Sequence, residues 1–272
     1  LESLVKEVTN LVKKGYKDFS FVSQDSSSYL RDLGHNDGLE QLIDAVEKID
    51  GVKTARILYL YPSTTTHNLI DKIADSKVFV NYFDMPLQHI SQNMLKIMKR
   101  GKGAEKLIEL MNYMRSKPNS FVRTTFIAGH PGESEDDFEE LCSFVEDFGF
   151  DRGNVFSYSD EEGTSAETRD DKIEQELIDE RAEILGDIIS QTTIKSLEND
   201  IGKSFEVYID GESEEHEYLL SARKTIWAPQ IDGEIYINDN EDNIPIVFGE
   251  IYEVEATQLA GDKLLAKIIR KV

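Results

Sequence analysis

The chain has 272 residues, 39% hydrophobic and 31% charged, which suits one large domain, or a large and a small one, with enough apolar content for a buried core. A formal charge of −23 argues against bare phosphate backbone as the main partner, because that affinity comes from Lys and Arg displacing counterions. No apolar run approaches the roughly 20 residues that span a bilayer, no signal-peptide pattern opens the chain, and no membrane partner is expected.

The acidity reads either as a device for solubility or as attraction to a basic protein. Cys142 is the single cysteine. It excludes a disulfide framework and any cysteine-ligated metal site made within this chain, and fits a reducing cytoplasm. Its helical spacing from Phe138 and Val145 marks it as a core residue.

The chain opens with "LESLVKEVTNLVKKG", an amphipathic helix already under way, so residues are expected to precede it. Strands then alternate with helices. Residues 17–25, 54–62, 80–88, 121–129 and 153–160 read as strands; residues 38–50, 67–75, 91–99, 103–116 and 134–148 read as helices. Repeated β-then-α units imply a parallel sheet. A long helix over 172–200 follows. From Ile201 the texture changes to five short alternating strands divided by Gly, Asp and Asn, the pattern of a small all-β barrel. The expected domains are therefore 1–200 and 201–272. The second carries 15 acidic against 7 basic side chains, about −8.

Polar residues gather at the C-terminal ends of the expected strands: Gln24 and Asp25, Tyr61, Gln88 and His89, His130 to Glu133, and Ser157 to Glu161. In α/β sheets and barrels that edge is where ligands bind. In "RTTFIAGHPGESEDDF" a strand runs into a helix whose capping box is Ser134 with Asp137. Gly129 and Gly132 there serve either a plain tight turn or the close approach of a ligand to backbone. Asp25 in "SQDSSSY" is equally a ligand contact or the start of an Asx turn. Arg100 and Arg123 can each clamp a carboxylate. Arg123 lies early in an apolar strand, where an unpaired charge is costly, so a bound partner is expected for it. His89 has no second ligand at metal spacing.

Taken together, "SQDSSSYLRDLG", "YLYP", "FDMPLQHIS", "IMKRG", "RTTFIAGHPGESEDDF", "YSDEEGTSA" and "APQIDGEIYIND" resemble, in order and over nearly the whole chain, the methylthiotransferase branch of the radical S-adenosylmethionine enzymes. The pattern is most similar to the group that methylthiolates the β-carbon of an aspartate in the small-subunit ribosomal protein uS12. A sister group acting on tRNA adenosine has Gln-Asn where this chain has Gln24-Asp25, Gln-Ser where it has Gln88-His89, and a basic-proline stretch where it has "DEEGT". That tRNA activity is one alternative; a non-catalytic ribosome-binding module is the other.

The resemblance implies a partial (β/α)6 barrel of the TIM-like type followed by a TRAM domain, with S-adenosylmethionine lying across the strand ends. It implies cofactor contacts by Gln24, Asp25, Gln88, Arg100, Arg123, Gly129, Pro131, Gly132 and Glu133, the glycines making room for the nucleoside. Tyr29, Tyr61, His89, Ser157, Tyr158, Asp160 and Glu161 are the expected substrate contacts. The implied partner is a small-subunit ribosomal protein or the ribosome, docked through the acidic TRAM domain, in the cytoplasm. The family also uses two 4Fe-4S clusters, held by a CxxxCxxC loop and by an N-terminal domain. This chain has neither set of cysteines, so it reads as part of a longer enzyme, and no redox chemistry is expected of it alone.

Overall fold

A computed structural model describes residues 1–101, 103–240 and 243–272. The chain divides into two compact units, Leu1–Ser190 and Gln191–Val272.

The first unit begins with α1 (Glu2–Lys13) and β1 (Asp18–Phe21). Two short 3-10 turns lead to α2 (Gly38–Val46), followed by β2 (Thr54–Ile57), α3 (His67–Ala74) and β3 (Phe79–Asp84). Then come α4 (Gln92–Ile97), α5 (Ala104–Arg115), β4 (Phe121–Ala128), α6 (Glu135–Phe148), β5 (Arg152–Ser157) and α7 (Gln175–Glu198), whose residues from Gln191 on belong to the second unit. The five strands form one parallel sheet in chain order, β1-β2-β3-β4-β5. This chain therefore supplies five strands of the barrel, in the simplest order a β/α alternation can take. Ile43, Ile70, Phe83, Leu107, Met111, Phe126, Leu141 and Phe150 form the buried layer between sheet and helices.

β2 and β3 stop four to five residues earlier than the apolar pattern suggests. Tyr59 adopts a left-handed conformation, φ 59°, which breaks the extended run. Pro86 removes a ladder donor just beyond β3. Both segments stay attached to the sheet: Leu60 N–H donates to the Asp84 carbonyl at 2.8 Å and Gln88 N–H to that of Thr125 at 2.9 Å. The rim of the sheet is thus made of pinned loops rather than strand.

The second unit contains a closed barrel in the order β10-β8-β7-β6-β9. Its strands are β6 (Ser204–Glu212), β7 (Leu220–Lys224), β8 (Ile235–Asp239), β9 (Ile251–Ala260) and β10 (Lys263–Lys271), matching the five expected segments. All neighbours are antiparallel except β10 with β8. Alternate residues fill the interior, Val207 and Ile209 from β6, Val254 and Ala256 from β9, Leu264 and Ala266 from β10. Among the described residues no helix is long and apolar enough to cross a membrane.

Candidate functional site

The C-terminal rim of the parallel sheet opens into two adjoining cavities. One, of about 670 Å³, is lined by residues including Gln24, Tyr61, Gln88, Arg100, Arg123 and Asn154. The other, about 660 Å³, is lined by residues including His130, Phe156, Ser157, Tyr158 and Glu161. They share Gln88, Arg100 and Phe156, so the three stand where one compartment meets the next.

Strand periodicity produces this surface. Arg123, Thr125 and Ile127 alternate along β4, and Asn154 and Phe156 along β5, with Thr125 beside Asn154 and Ile127 beside Phe156 in the parallel register. Phe156 is 58% exposed and Val22, another lining residue, 63%, apolar surface left uncovered at the cleft. Three of the non-glycine residues with positive φ, Tyr59, Gln88 and Lys99, also line it. Such conformations persist where the surroundings enforce them, commonly at functional sites.

The two cleft arginines differ. Arg123 has the partner its burial demanded, but within the chain: Nη1 lies 3.4 Å from Asp84 Oδ1. Among the described residues Arg100 makes one long hydrogen bond, Nη2 to the Pro86 carbonyl at 3.4 Å, and rests on the Tyr61 ring at 5.3 Å. Its fork keeps donors available for an anion. In the second compartment, burial lowers the His130 pKa, although its Nδ1 contact with the Pro131 carbonyl at 2.9 Å works the other way. The Tyr158 hydroxyl, 2.7 Å from Asp160 Oδ1, is pushed up to about 12 by burial and then by that carboxylate.

Of the expected contacts, Gln24, Tyr61, Gln88, Arg100, Arg123, Ser157, Tyr158 and Glu161 reach the cleft. The others have different work. Asp25 caps the 3-10 turn after β1, accepting from Ser27 Oγ at 2.7 Å and Ser28 N–H at 3.1 Å, so the Asx-turn alternative holds. Tyr29 lines a neighbouring apolar cavity of about 320 Å³ with α1 and α2, which shares Val22 and Ser23 with the first compartment. Asp160 is exposed, paired with Lys172 and Tyr158.

His89 is buried, and both of its ring nitrogens are engaged within the chain. Its Nδ1 accepts from the N–H groups of Ile90 (2.9 Å) and Ser91 (3.0 Å). That leaves the ring proton on Nε2, 3.2 Å from Glu133 Oε1. Glu133, with no side-chain exposure, also accepts from Gly129 N–H at 3.0 Å and pairs with Arg181 of α7 at 2.7 Å. Neither side chain lines the cleft.

The glycine turn is likewise an internal fit. At Gly129, φ 80°, a Cβ would fall 2.6 Å from Ile178 Cγ1; at Gly132, φ 88°, it would fall 2.8 Å from Arg169 Nη2. Gly132 N–H donates to the Asp171 carbonyl at 3.1 Å, and the Pro131 carbonyl faces the His130 ring. Side chains of α7, of the segment before it and of α4 stand against both glycines.

The expected capping box is present: Asp137 N–H donates to Ser134 Oγ at 3.2 Å and Ser134 N–H to Asp137 Oδ2 at 3.0 Å. Ser91 and Asn93 donate to the same carboxylate, tying the start of α6 to that of α4. Burial alone raises the Asp137 pKa, but these hydrogen bonds outweigh it and lower it from 3.8 to about 2. A depressed carboxylate stabilises the fold above its unfolded pKa, and that contribution disappears as pH falls through the folded value. The stability gap between the wild type and Asp137→Asn is therefore expected to be full above about pH 5 and to close toward pH ~2. Denaturant titrations across that window check it; a gap that stays constant counts against the assignment.

Residues 1–145 match the Radical SAM superfamily and residues 201–269 the TRAM domain family. The first match covers more than half of the chain, which therefore belongs to the Radical SAM superfamily. The chain is 78% identical over 272 residues to the ribosomal protein uS12 methylthiotransferase RimO of Aliarcobacter butzleri, covering 99% of this chain and 61% of that protein. It is 59% identical to the protein of the same name from Sulfurovum (100% and 61% covered), and 53% identical to that of Campylobacter jejuni (100% and 62%). The chain thus spans about three fifths of the length of these relatives.

Membership implies S-adenosylmethionine and a 4Fe-4S cluster as the family's reagents. The cleft fits the first. Gln24, Gln88, Arg100, Thr125 and Asn154 offer donors and acceptors, and Tyr59, Tyr61, Ile127 and Phe156 offer flat apolar surface, the two needs of an amino-acid nucleoside. The residues present do not fit the cluster. The Cys142 thiol lies half-buried in α6, pushed up to about 11 by burial and then by Glu133 and Glu135. Among the described residues no group of three or more His, Cys, Asp or Glu is placed to hold a metal.

Proposed function

We propose that this chain supplies the S-adenosylmethionine cleft and the TRAM module of an enzyme that methylthiolates the β-carbon of an aspartate in ribosomal protein uS12, with the iron-sulfur ligands contributed by residues outside these 272. The 78% identity to a protein of that name, over 99% of this chain, carries the reading. When bound, the cofactor supplies the methyl group and the radical of the family's chemistry. The chain's own residues bind and orient. Arg100 offers its guanidinium to the cofactor carboxylate, Gln24 and Gln88 hold polar groups beside it, and Phe156 and Ile127 cover the base. Tyr61, Ser157, Tyr158 and Glu161 line the approach of the target aspartate.

The acidic second unit is the docking element for the basic substrate. A cavity of about 730 Å³ on its barrel is lined by Asp210, Glu212, Glu214, Glu215 and Glu234 among others. Glu215 is engaged within the barrel, 2.8 Å from Lys263 Nζ and hydrogen-bonded to Tyr236, which leaves Glu212 and Glu214 as the better groups to alter.

One experiment with two arms tests the reading. In cells lacking the gene, uS12 carries no methylthio adduct by mass spectrometry, and the full-length gene restores it. Arg100→Ala is expected to weaken S-adenosylmethionine binding about tenfold or more. Glu212→Lys with Glu214→Lys leaves cofactor binding intact and weakens uS12 capture, most at low salt. An adduct that persists in the deletion strain sinks the proposal.

A further inference from the structure

Beneath the cleft lies a carboxylate that fixes two of its lining residues without lining it. Asp84, Pro86 and Gln88 alternate along the end of β3 and its continuation, so their side chains share one side of the sheet. Pro86 and Gln88 reach the cleft; Asp84, a layer deeper, has no side-chain exposure. The parallel register sets Asp84 beside Arg123. One oxygen of the carboxylate, Oδ1, lies 3.4 Å from Arg123 Nη1, and the other, Oδ2, accepts the backbone N–H of Tyr59 at 3.1 Å.

Both recipients need holding. Tyr59 is in the left-handed region at φ 59°, where a residue with a Cβ stays only when its surroundings enforce it. Arg123 is a long side chain with many rotamers and would otherwise leave the cleft floor for water. With the Asn154 amide oxygen turned toward it, Arg123 Nη2 has a second anchor at 2.9 Å. The guanidinium is therefore clamped from β3 on one side and β5 on the other.

We infer that Asp84 is a positioning residue of the cofactor cleft: it fixes the direction of Arg123 and the backbone turn that carries the Tyr59 ring, and so sets ligand affinity through groups it touches rather than by touching the ligand. This rests on the reading of the cleft as an S-adenosylmethionine site, and the test separates the two. Buried charge pairs placed only for stability change folding; this one also changes binding, and through Arg123.

The experiment is a double-mutant cycle on the full-length, cluster-reconstituted protein, with S-adenosylmethionine itself as the probe in equilibrium dialysis. Arg123→Met is expected to raise Kd about tenfold. Asp84→Asn, the same shape without the charge, is expected to raise it at least about threefold, and the double variant to match Arg123→Met within about twofold, because the two act as one unit. An unchanged Kd in Asp84→Asn, or losses that multiply in the double variant, overturns the role of Asp84 alone. An unchanged Kd in Arg123→Met overturns the cofactor reading and this inference with it. Should Asp84→Asn fail to fold, the double variant, which removes both charges, decides: affinity equal to that of Arg123→Met supports the inference, and a further tenfold loss overturns it.

Discussion

Arg181→Met is expected to lower the melting temperature of the full-length protein's first unit by roughly 10 °C, because it strands the Glu133 carboxylate in the interior, a loss of about 3–5 kcal/mol in a unit of this size. Arg181 is 4% exposed; its guanidinium holds the Glu133 carbonyl at 3.1 Å, the Glu133 carboxylate at 2.7 Å and Glu135 at 2.8 Å, with Phe138 beneath it. The same carboxylate receives His89 and the Gly129 N–H. One ion pair thus joins the loop after β3, the turn after β4 and α7. Adding Glu133→Gln to Arg181→Met should recover part of the loss, since no bare charge then remains. Differential scanning calorimetry of the wild type and the two variants checks it. A single variant melting within about 2 °C of wild type would mean that water reaches the carboxylate and the cluster is not closed.

Gly129→Ala separates the two meanings of the glycine turn. The new Cβ meets Ile178 at 2.6 and 2.8 Å, and φ 80° is unfavourable for alanine before any contact is counted. Left-handed strain and overpacking together point to a loss of roughly 2–5 kcal/mol. Ile178→Ala in the same chain should return only a small part, since it removes the Cγ1 and Cγ2 contacts but keeps the Cβ contact at 2.8 Å, leaves the dihedral and gives up buried apolar volume. Denaturant midpoints measure both. If the variant instead keeps its stability and loses S-adenosylmethionine affinity, the glycine serves the ligand after all.

The strands and helices of the first unit were legible because apolar periodicity is local, and so was the Ser134–Asp137 box, a matter of three residues' spacing. The ends of β2 and β3 were not. Leu58, Leu60, Met85 and Leu87 are all buried beyond the ends of β2 and β3, so the hydrophobic signal outruns the regular strand conformation. Gln24, Tyr61 and Gln88 could be placed from the strand-end rule, whereas Arg100 and Arg123 rested on the chemistry of a guanidinium and on the family resemblance. The Glu133 cluster could not: its members lie 44 and 48 positions apart, and no local pattern joins them. Asn154 and Phe156 were missed as cleft residues for the opposite reason. They sit inside an apolar run that looks like core, yet both are exposed in the structure.

The barrel of the second unit is closed by β10, the strand that joins β9 on one side and β8 on the other. It is also the last of the five to be synthesised. Until it emerges, the four earlier strands form an open ribbon with two bare margins, the kind of surface that recruits foreign strands and invites proteases. A chain in which β10 is incomplete therefore keeps those two margins bare, and the module closes only once its fifth strand is in place.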